Sequence, residues 1–109
     1  MALRSYQELI GWKKGIELVT DVYRLTQKFP KQEIYGLTSQ IRRAAVSIPS
    51  NIAEGQGRMS RGEFKQFLGH ARGSVFELES QILIARNLAY LNIEEVNFCW
   101  KESRRSAEF

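Results

Sequence analysis

Hydrophobic positions recur at helical spacing along most of the chain. In the first segment they alternate by three and four residues, at Leu9, Trp12, Ile16, Val19, Tyr23 and Thr26. This alternation is typical of the buried seam of an amphipathic helix. Ser5 followed by Glu8 matches a capping box, in which each residue satisfies a backbone N–H group of the other. The pattern predicts a first helix from Tyr6 to Lys28, which ends before Phe29-Pro30 because the residue before a proline disfavours helix.

A third segment continues the same alternation over a longer seam, at Phe64, Leu68, Ala71, Val75, Leu78, Ile82 and Ala85. Ser60 and Glu63 form a second capping-box pattern at its start. Met59 and Phe64 have the spacing of a hydrophobic staple, in which the residue before the cap packs on the first turn. We expect this helix to extend from Arg61 to Leu88.

A fourth helix is predicted after Asn92, which forms a capping-box pattern with Glu95. Leu91 and Val96 have the spacing of its staple. The residues expected to face inward are Val96, Cys99 or Trp100, and Ser103.

The second segment contains a proline inside a helical pattern. Its apolar positions keep their phase through Pro49, at Leu37, Ile41, Ala45, Ile48 and Ile52. A buried strand is the main rival, but strand alternation would place Arg42 on the buried face. We therefore predict one helix from Ile34 to Gly55, bent at Pro49, and an all-α fold.

Pro49 removes a backbone hydrogen bond, at a cost of about 3 kcal/mol in a helix interior. Close packing against another helix would offset that cost. Small residues around the proline would let the third helix approach: Ala44, Ala45, Ser47, Ser50 and Ala53. The expected counterparts on the third helix are Gly69, Ala71, Gly73 and Ser74.

A second apolar stripe follows the first and third helices. It comprises Ile10, Leu18, Val22, Leu25, Phe67, Phe76 and Leu83. A helix of a monomeric bundle needs only one apolar face. These residues either widen that face or are buried between subunits, and we favour burial between subunits.

Composition indicates one ordinary globular domain spanning residues 1–109, with 43% hydrophobic and 26% charged residues. No segment has the length of a membrane span, and the N-terminus lacks the apolar core of a signal peptide. The single cysteine, Cys99, fits a reducing compartment, so we expect a cytoplasmic protein without a membrane partner. The formal charge of +4 and the pI near 9.5 favour polyanionic partners.

Patterns typical of catalysis are weak. Gly55-Gln56-Gly57 follows a predicted helix, not a strand, and no Gly-Lys-Ser/Thr follows, so it fits a helix C-cap better than a phosphate loop. His70 has no glutamate three residues before it, and Glu77 and Glu79 point to different sides of a helix. The other nucleophile candidates, Ser47, Ser50 and Cys99, have no partnered base in the sequence. We therefore expect no enzyme, no cofactor and no metal site.

Basic residues give the clearer functional pattern. The candidates for nucleic-acid binding are Lys13, Lys14, Arg42, Arg43, Arg58, Arg61, Lys65 and Arg72. Four of them recur at helical spacing along the third helix and the loop before it. A solvated surface with ion pairs such as Glu54 with Arg58 is the alternative. Because no aromatic residue is interleaved with this stripe, we expect phosphate contacts without base stacking.

Two runs carry a family resemblance: FPKQEIYGLTSQIRRAAVSIPSNIAEGQGR and EFKQFLGHARGSVFELESQI, with NIAEG and GS-x-x-EL-E as their most specific parts. From Leu9 to Leu91 the chain resembles the bacterial four-helix bundle family that includes proteins encoded in 23S rRNA intervening sequences. The resemblance implies an antiparallel up-down-up-down bundle that assembles as a homopentameric ring. Five copies of +4 would give that ring a charge of +20.

Another branch of this family serves as accessory proteins to the reverse transcriptases of diversity-generating retroelements and is thought to bind nucleic acid. The resemblance therefore implies rRNA or another nucleic acid as a partner, together with a reverse transcriptase or a ribonucleoprotein. The tail CWKESRRSAEF departs from the family's longer apolar seam. A shortened fourth helix is expected, through natural truncation, a frameshift or a cloning remnant.

These observations lead to two hypotheses. The first is a non-enzymatic oligomeric bundle that binds RNA or DNA through a basic surface. The alternative is a protein-interaction scaffold without nucleic-acid binding, in which the charge serves solubility or docking to an acidic protein.

Overall fold

The structure, a computed structural model, describes the backbone of residues 6–108 and the side chains of residues 7–108. Over this range the chain is all-helical and contains no strand, as predicted. The elements are α1 (Tyr6–Thr26), a 3₁₀ turn (Lys31–Glu33), α2 (Leu37–Gln56), α3 (Arg61–Asn87) and α4 (Ile93–Ser106). The cap predicted at Ser5 lies outside the described residues. α1 ends two residues before the predicted Lys28, and α2 begins three residues after the predicted Ile34; the 3₁₀ turn lies in the predicted linker between them.

One hydrophobic core is shared by all four helices. Each helix packs against the next along the chain, and α1 also packs against α4. The seams predicted for α2, α3 and α4 are confirmed, because their central residues are buried: Ile41, Ala45, Ile48, Ile52, Ala71, Val75, Leu78, Ile82, Ala85, Val96, Cys99 and Ser103. Burial of this apolar surface is the main force that holds the helices together.

The seam predicted for α1 is confirmed only in part: Thr26 is buried and Trp12 and Val19 pack against the core, but two central positions are exposed. Ile16 and Tyr23, expected in the core, are 45% and 41% exposed, whereas Leu18 and Val22 are 0% and 1% exposed. Assignment of Leu18 and Val22 to a subunit interface is therefore also wrong. The inward face of α1 includes Gly15, which is buried. Because glycine has no apolar side chain, a count of apolar positions does not detect this face.

A single helix runs through Pro49, as predicted, and the strand alternative is excluded for this segment. The proline ring faces α1, not α3. Contact between α2 and α3 is partly polar, because Ser74 Oγ donates to Ser47 Oγ at 2.9 Å. Gly69 and Gly73 are exposed and would have open space around an added Cβ, so they are not the predicted counterparts of α2.

Capping explains where α3 and α4 begin. Ser60 Oγ accepts from the Glu63 N–H group at 3.1 Å, but Met59 is 99% exposed, so the predicted staple at this end is wrong. At α4 the capping box is complete, with Asn92 Oδ1 and Glu95 Oε1 accepting from each other's N–H groups at 2.8 and 2.9 Å. These bonds satisfy N–H groups that have no partner within the helix.

The C-terminus of α3 closes with a Schellman motif. The Tyr90 N–H donates to Ala85 O at 2.8 Å and the Ala89 N–H donates to Arg86 O at 2.9 Å. Ala89 has φ of 64°, in the left-handed region that this motif requires. The turn places the Tyr90 ring 5.2 Å from that of Phe29, beside the end of α1.

Candidate nucleic-acid interface

The predicted basic residues divide between separate surfaces. Arg42 is half-buried and joins α2 to α1: its Nε donates to Thr26 Oγ1 at 2.9 Å, and its guanidinium lies 4.5 Å from the centre of the Tyr23 ring. Arg43, the next residue, is exposed and lines a groove toward α3 with Glu77. Arg58 follows Arg42 by sixteen positions along α2 and its C-terminal turn, which corresponds to a helical distance of about 24 Å.

Arg58 does not extend the stripe along α3. Its guanidinium binds Glu54 at 2.9 Å, which confirms the ion pair predicted from the sequence. It also lies 4.5 Å from the centre of the Phe67 ring. Phe67 packs toward α2: a Cβ added to Gly55 of α2 would stand 3.3 Å from Phe67 Cβ. Arg58 is therefore on the α2 side of α3.

Three of the predicted residues lie together on α3. Arg61, Lys65 and Arg72 are exposed. Lys65 follows Arg61 by four positions and Arg72 follows it by eleven, so all three lie along one side of the helix. Arg72 also lies beside α4, because it lines a depression of about 440 Å³ together with Arg104 of α4. The lining residues are Arg72, Val75, Phe76, Glu79, Arg104 and Ala107.

Arg104 joins this group and is absent from the sequence prediction. Its Nε donates to Glu79 Oε1 at 2.9 Å, which links α4 to α3. The Trp100 Nε1–H, one turn earlier, donates to Glu79 O at 3.3 Å. The sequence signal that could have indicated Arg104 is its four-residue spacing from Trp100, which places both on one side of α4. We call Arg61, Lys65, Arg72 and Arg104 the α3–α4 basic face.

An aromatic residue lies on the same side of the molecule. Phe76 follows Arg72 by one helical turn, lines the same depression and is 69% exposed. Phe76 therefore places an exposed aromatic residue one turn beyond the end of the basic stripe predicted on α3. Glu79 contributes one carboxylate to the depression, which Arg72 and Arg104 also line, while Arg61 and Lys65 continue the same side of α3.

The remaining candidates, Lys13 and Lys14, lie on α1. Lys13 is exposed and Lys14 is half-buried. Because α1 packs mainly against α2 and α4, these lysines are displaced from the α3 residues of the basic face. The eight predicted residues thus form several surfaces, of which only the one on α3 combines three of them.

Two of the residues considered as nucleophiles, Cys99 and Ser47, are buried or hydrogen-bonded within the fold. Cys99 is 1% exposed, and burial, reinforced by the nearby carboxylates of Asp21, Glu95 and Glu102, raises the pKa of its thiol to about 12. Ser47 Oγ accepts from Asn51 Nδ2 at 2.8 Å and from Ser74. Within residues 7–108 no group of three or more His, Cys, Asp or Glu side chains is placed to hold a metal ion.

A helix that spans a bilayer must be both long and continuously apolar. Among the described residues, no helix is both long enough and apolar enough to cross a membrane.

Comparison with known proteins identifies relatives of this fold. A family model described as 23S rRNA-intervening sequence protein matches residues 7–108. A crystal structure of a protein with unknown function from the S23 ribosomal protein family, from Bacteroides thetaiotaomicron VPI-5482, superposes with a TM-score of 0.85 at 20% identity. The alignment covers 94% of this chain and 92% of that one, so the two share a fold. None of the curated proteins matches the chain. These matches indicate no enzyme family.

Proposed function

The chain belongs to the 23S rRNA-intervening sequence protein family, and on that premise we propose that it is a non-enzymatic, oligomeric protein that binds RNA or DNA through phosphate contacts. The observation that carries this proposal is the α3–α4 basic face, where Arg61, Lys65 and Arg72 are exposed along one side of α3. The family description makes rRNA the first polyanion to test.

Spacing along the helix suits a nucleic-acid backbone. Arg61 and Lys65 are one turn apart, and Arg61 and Arg72 are separated by about 16 Å along the α3 axis. Exposed cations over that length can contact several phosphates of one strand. Each phosphate neutralised by a Lys or Arg releases counterions, so binding through this face falls steeply as salt is added.

The fold we propose is an antiparallel up-down-up-down bundle forming a single domain. Short connections between successive helices favour antiparallel neighbours. Contacts at the helix ends support this order: Phe29 after α1 stacks with Tyr90 after α3, and Lys28 pairs with Glu95 at the start of α4. At the other end Gly55 of α2 lies against Phe64 of α3.

Assembly into a homopentameric ring is the oligomeric form that we propose. Apolar side chains remain exposed on several helices of the single chain: Ile16, Val46, Ile84 and Phe98. Exposed apolar surface of this kind marks sites of protein association. Repetition of the basic face around a ring would multiply the phosphate contacts available to one nucleic acid. Light scattering that gives the mass of one chain would contradict the assembly.

Binding can be tested with two triple variants that remove the same charge. Affinity for a structured rRNA hairpin is measured by fluorescence anisotropy across a salt series. R61A/K65A/R72A is expected to weaken binding at least tenfold and to reduce the salt slope by about 2–3, since each phosphate contact contributes about 0.7–0.9. The matched control K13A/K14A/R43A changes the net charge equally on other surfaces.

The two variants distinguish binding through a defined face from binding through the net charge of the protein. We expect the control to keep most of the affinity of the original chain. Equal losses in both variants would show that net charge alone governs binding. Binding that does not depend on salt, or no binding by the original chain, would contradict the proposal.

A protein-interaction scaffold is the second candidate. The observation that favours it is an apolar groove between α1 and α2, which includes Trp12, Ile16, Val19, Val46 and Ala53. Retrieval of a protein partner after nuclease treatment, together with no measurable RNA affinity, would select this function over nucleic-acid binding.

A further inference from the structure

Phe76 occupies a position that the core does not explain. The buried seam of α3 passes through Val75, Leu78 and Ile82, and Phe76 lies outside it with 69% of its surface exposed. Arg72 precedes Phe76 by one helical turn, and Arg104 lines the depression from α4. An exposed ring between cations is the combination that proteins use to bind single-stranded nucleic acid, with bases on the ring and phosphates on the cations.

We propose that the depression between α3 and α4 takes an unpaired nucleobase of single-stranded nucleic acid, stacked on Phe76, while the α3–α4 basic face holds the adjoining phosphates. This inference rests on the proposed function and names the form of nucleic acid that the face prefers. A volume of about 440 Å³ falls within the range of small-ligand sites, roughly 300–1,000 Å³.

The walls of the depression suit a flat, partly polar ring. Val75, Phe76 and Ala107 provide apolar surface, and Arg72 and Arg104 provide charge at its edge. A nucleobase has an apolar face and a polar edge, so it can contact both kinds of wall at once.

Interhelical hydrogen bonds hold this site in shape before any ligand arrives. Glu79 accepts from Arg104 Nε at 2.9 Å, and its backbone oxygen accepts from Trp100 Nε1–H at 3.3 Å. Both bonds join α3 to α4, and Glu79 and Arg104 are themselves lining residues of the depression. A preformed site loses less conformational entropy when it binds its ligand.

Charge distinguishes a nucleic acid from a second copy of the chain as the occupant. Arg72 and Arg104 line the depression with one carboxylate, Glu79, which pairs with Arg104, and Arg61 and Lys65 add two exposed cations on the same side of α3. A second copy carries a net charge of +4 and would meet this face with like charge overall. A polyanion instead places negative charge beside every cation of the face.

Base pairing provides the critical test. In a duplex the bases are paired and stacked on one another, so their faces cannot reach Phe76, whereas the phosphates remain accessible. Stacking of one base on an aromatic side chain is worth a factor of about 5–150 in affinity by alanine substitution. Removal of the ring should therefore weaken single-strand binding by about that factor and leave duplex binding almost unchanged.

The experiment uses the full chain with a single-stranded RNA of about 12 nucleotides and a duplex of the same sequence and length. Fluorescence anisotropy gives both affinities for F76A, F76Y and L83A. Leu83 is a matched control, because it is also an exposed apolar residue of α3 but does not line the depression. F76A is expected to lose single-strand affinity selectively, whereas F76Y and L83A retain it.

Each other outcome has a defined meaning. Equal effects of F76A on both nucleic acids, or no effect on either, would overturn the base site and leave phosphate binding intact. A change in solution mass in F76A without a change in the ratio of the two affinities would show that a second copy covers the face, which also overturns it. If neither nucleic acid binds the original chain, the proposed function itself fails. If both bind, R61A/K65A/R72A should weaken both affinities, which tests phosphate binding separately from the base site.

Discussion

Gly15 of α1 lies directly against the ring of Pro49 in α2. A Cβ added to Gly15 would stand 3.0 Å from Pro49 Cβ and 3.2 Å from its Cδ. The absent side chain thus lets α1 approach the one turn of α2 that lacks a backbone hydrogen bond. Packing of the buried proline ring on this glycine offsets part of the roughly 3 kcal/mol that a proline costs in a helix interior.

Gly15→Ala is predicted to destabilise the protein by about 1–2 kcal/mol. Alanine favours helix over glycine by about 1 kcal/mol, but here its methyl group meets a ring that is held within a helix and cannot move aside. Urea unfolding gives the free energy of unfolding. Gly69→Ala is the matched control: Gly69 is in a helix with open space around an added Cβ, so this variant should gain about 1 kcal/mol.

A double variant tests whether Pro49 is the cause. In Gly15→Ala/Pro49→Ala the ring is absent, so the added methyl group should cost less than it does beside proline. We expect the two effects to depart from additivity by at least about 0.5 kcal/mol. Strict additivity, or a stabilised Gly15→Ala single variant, would show that the Gly15–Pro49 contact does not contribute to the free energy of unfolding.

The Gly15–Pro49 contact also shows what the pattern of the sequence can predict. The seam of α3 is predictable because bulky apolar residues mark every turn of its buried face. On α1 the buried face includes glycine, while Ile16 and Tyr23 are exposed. Hydrophobic periodicity registers apolar side chains. It therefore does not detect a position such as Gly15, where two helices approach closely because a side chain is absent.

Arg42 and Arg43 are adjacent and equally charged but should differ in their effect on stability. Arg42 donates to Thr26 Oγ1 at 2.9 Å and lies over the Tyr23 ring, whereas Arg43 is exposed. We predict that Arg42→Ala lowers the free energy of unfolding by about 1–2 kcal/mol. Arg43→Ala should change it by no more than about 0.5 kcal/mol. Urea unfolding measures both, and similar losses would contradict a structural role specific to Arg42.

Ala89→Gly is predicted to stabilise the protein by about 0.5–1 kcal/mol. Ala89 has φ of 64°, a region that costs an L-residue about 1–2 kcal/mol and glycine almost nothing. The gain is partly offset by the larger entropy that glycine loses on folding. Thermal and urea unfolding provide the measurement.

Gln66→Gly is the control for that gain, since Gln66 is exposed within α3. There glycine should cost about 0.5–1 kcal/mol. A loss of stability in both variants would mean that the left-handed conformation at Ala89 is not the dominant effect.

Stability should fall in acid partly through Glu95. Burial alone would raise the pKa of Glu95, but hydrogen bonds from Lys28 and the Asn92 N–H, together with the charge of Lys28, lower the pKa below its ordinary value. The unfolded carboxyl therefore binds protons first as pH decreases. Its contribution is present above the unfolded pKa of about 4.3 and is lost as pH falls through the lower folded pKa.

Urea unfolding from neutral pH to pH values below that range tests this linkage. Glu95→Gln keeps an acceptor for the capping box but cannot ionise, so its stability should depend less steeply on acid pH. Glu94→Gln removes one carboxylate from the same turn of α4 and serves as the control. An acid slope in Glu95→Gln equal to that of the original chain would exclude Glu95 as a source of the effect.

The basic face was predictable only within one helix. Arg61, Lys65 and Arg72 share a side of α3, which follows from helical spacing alone. The addition of Arg104 depends on how α4 lies beside α3, where Glu79 accepts from it at 2.9 Å. Phe76 falls outside the seam of α3 by periodicity alone, but its position in one depression with Arg104 follows from the packing of two helices.

Cys99 should resist thiol reagents in the folded protein. It is 1% exposed, and burial raises the pKa of its thiol to about 12, so at pH 8 the thiolate fraction is on the order of 10⁻⁴. We predict that a disulfide reagent labels Cys99 at the rate at which the protein opens. Labelling should be immediate in urea, and added stabilising osmolyte should slow it under native conditions.

The same raised pKa links Cys99 to stability in alkali. An unfolded thiol ionises near pH 8.5 while the folded thiol stays protonated, so the unfolded state releases protons first and stability falls as pH rises from about 8.5 toward 12. Cys99→Ala should reduce this alkaline slope and also abolish labelling. Rapid labelling of the folded protein, or an alkaline slope that Cys99→Ala leaves unchanged, would contradict a buried and protonated thiol.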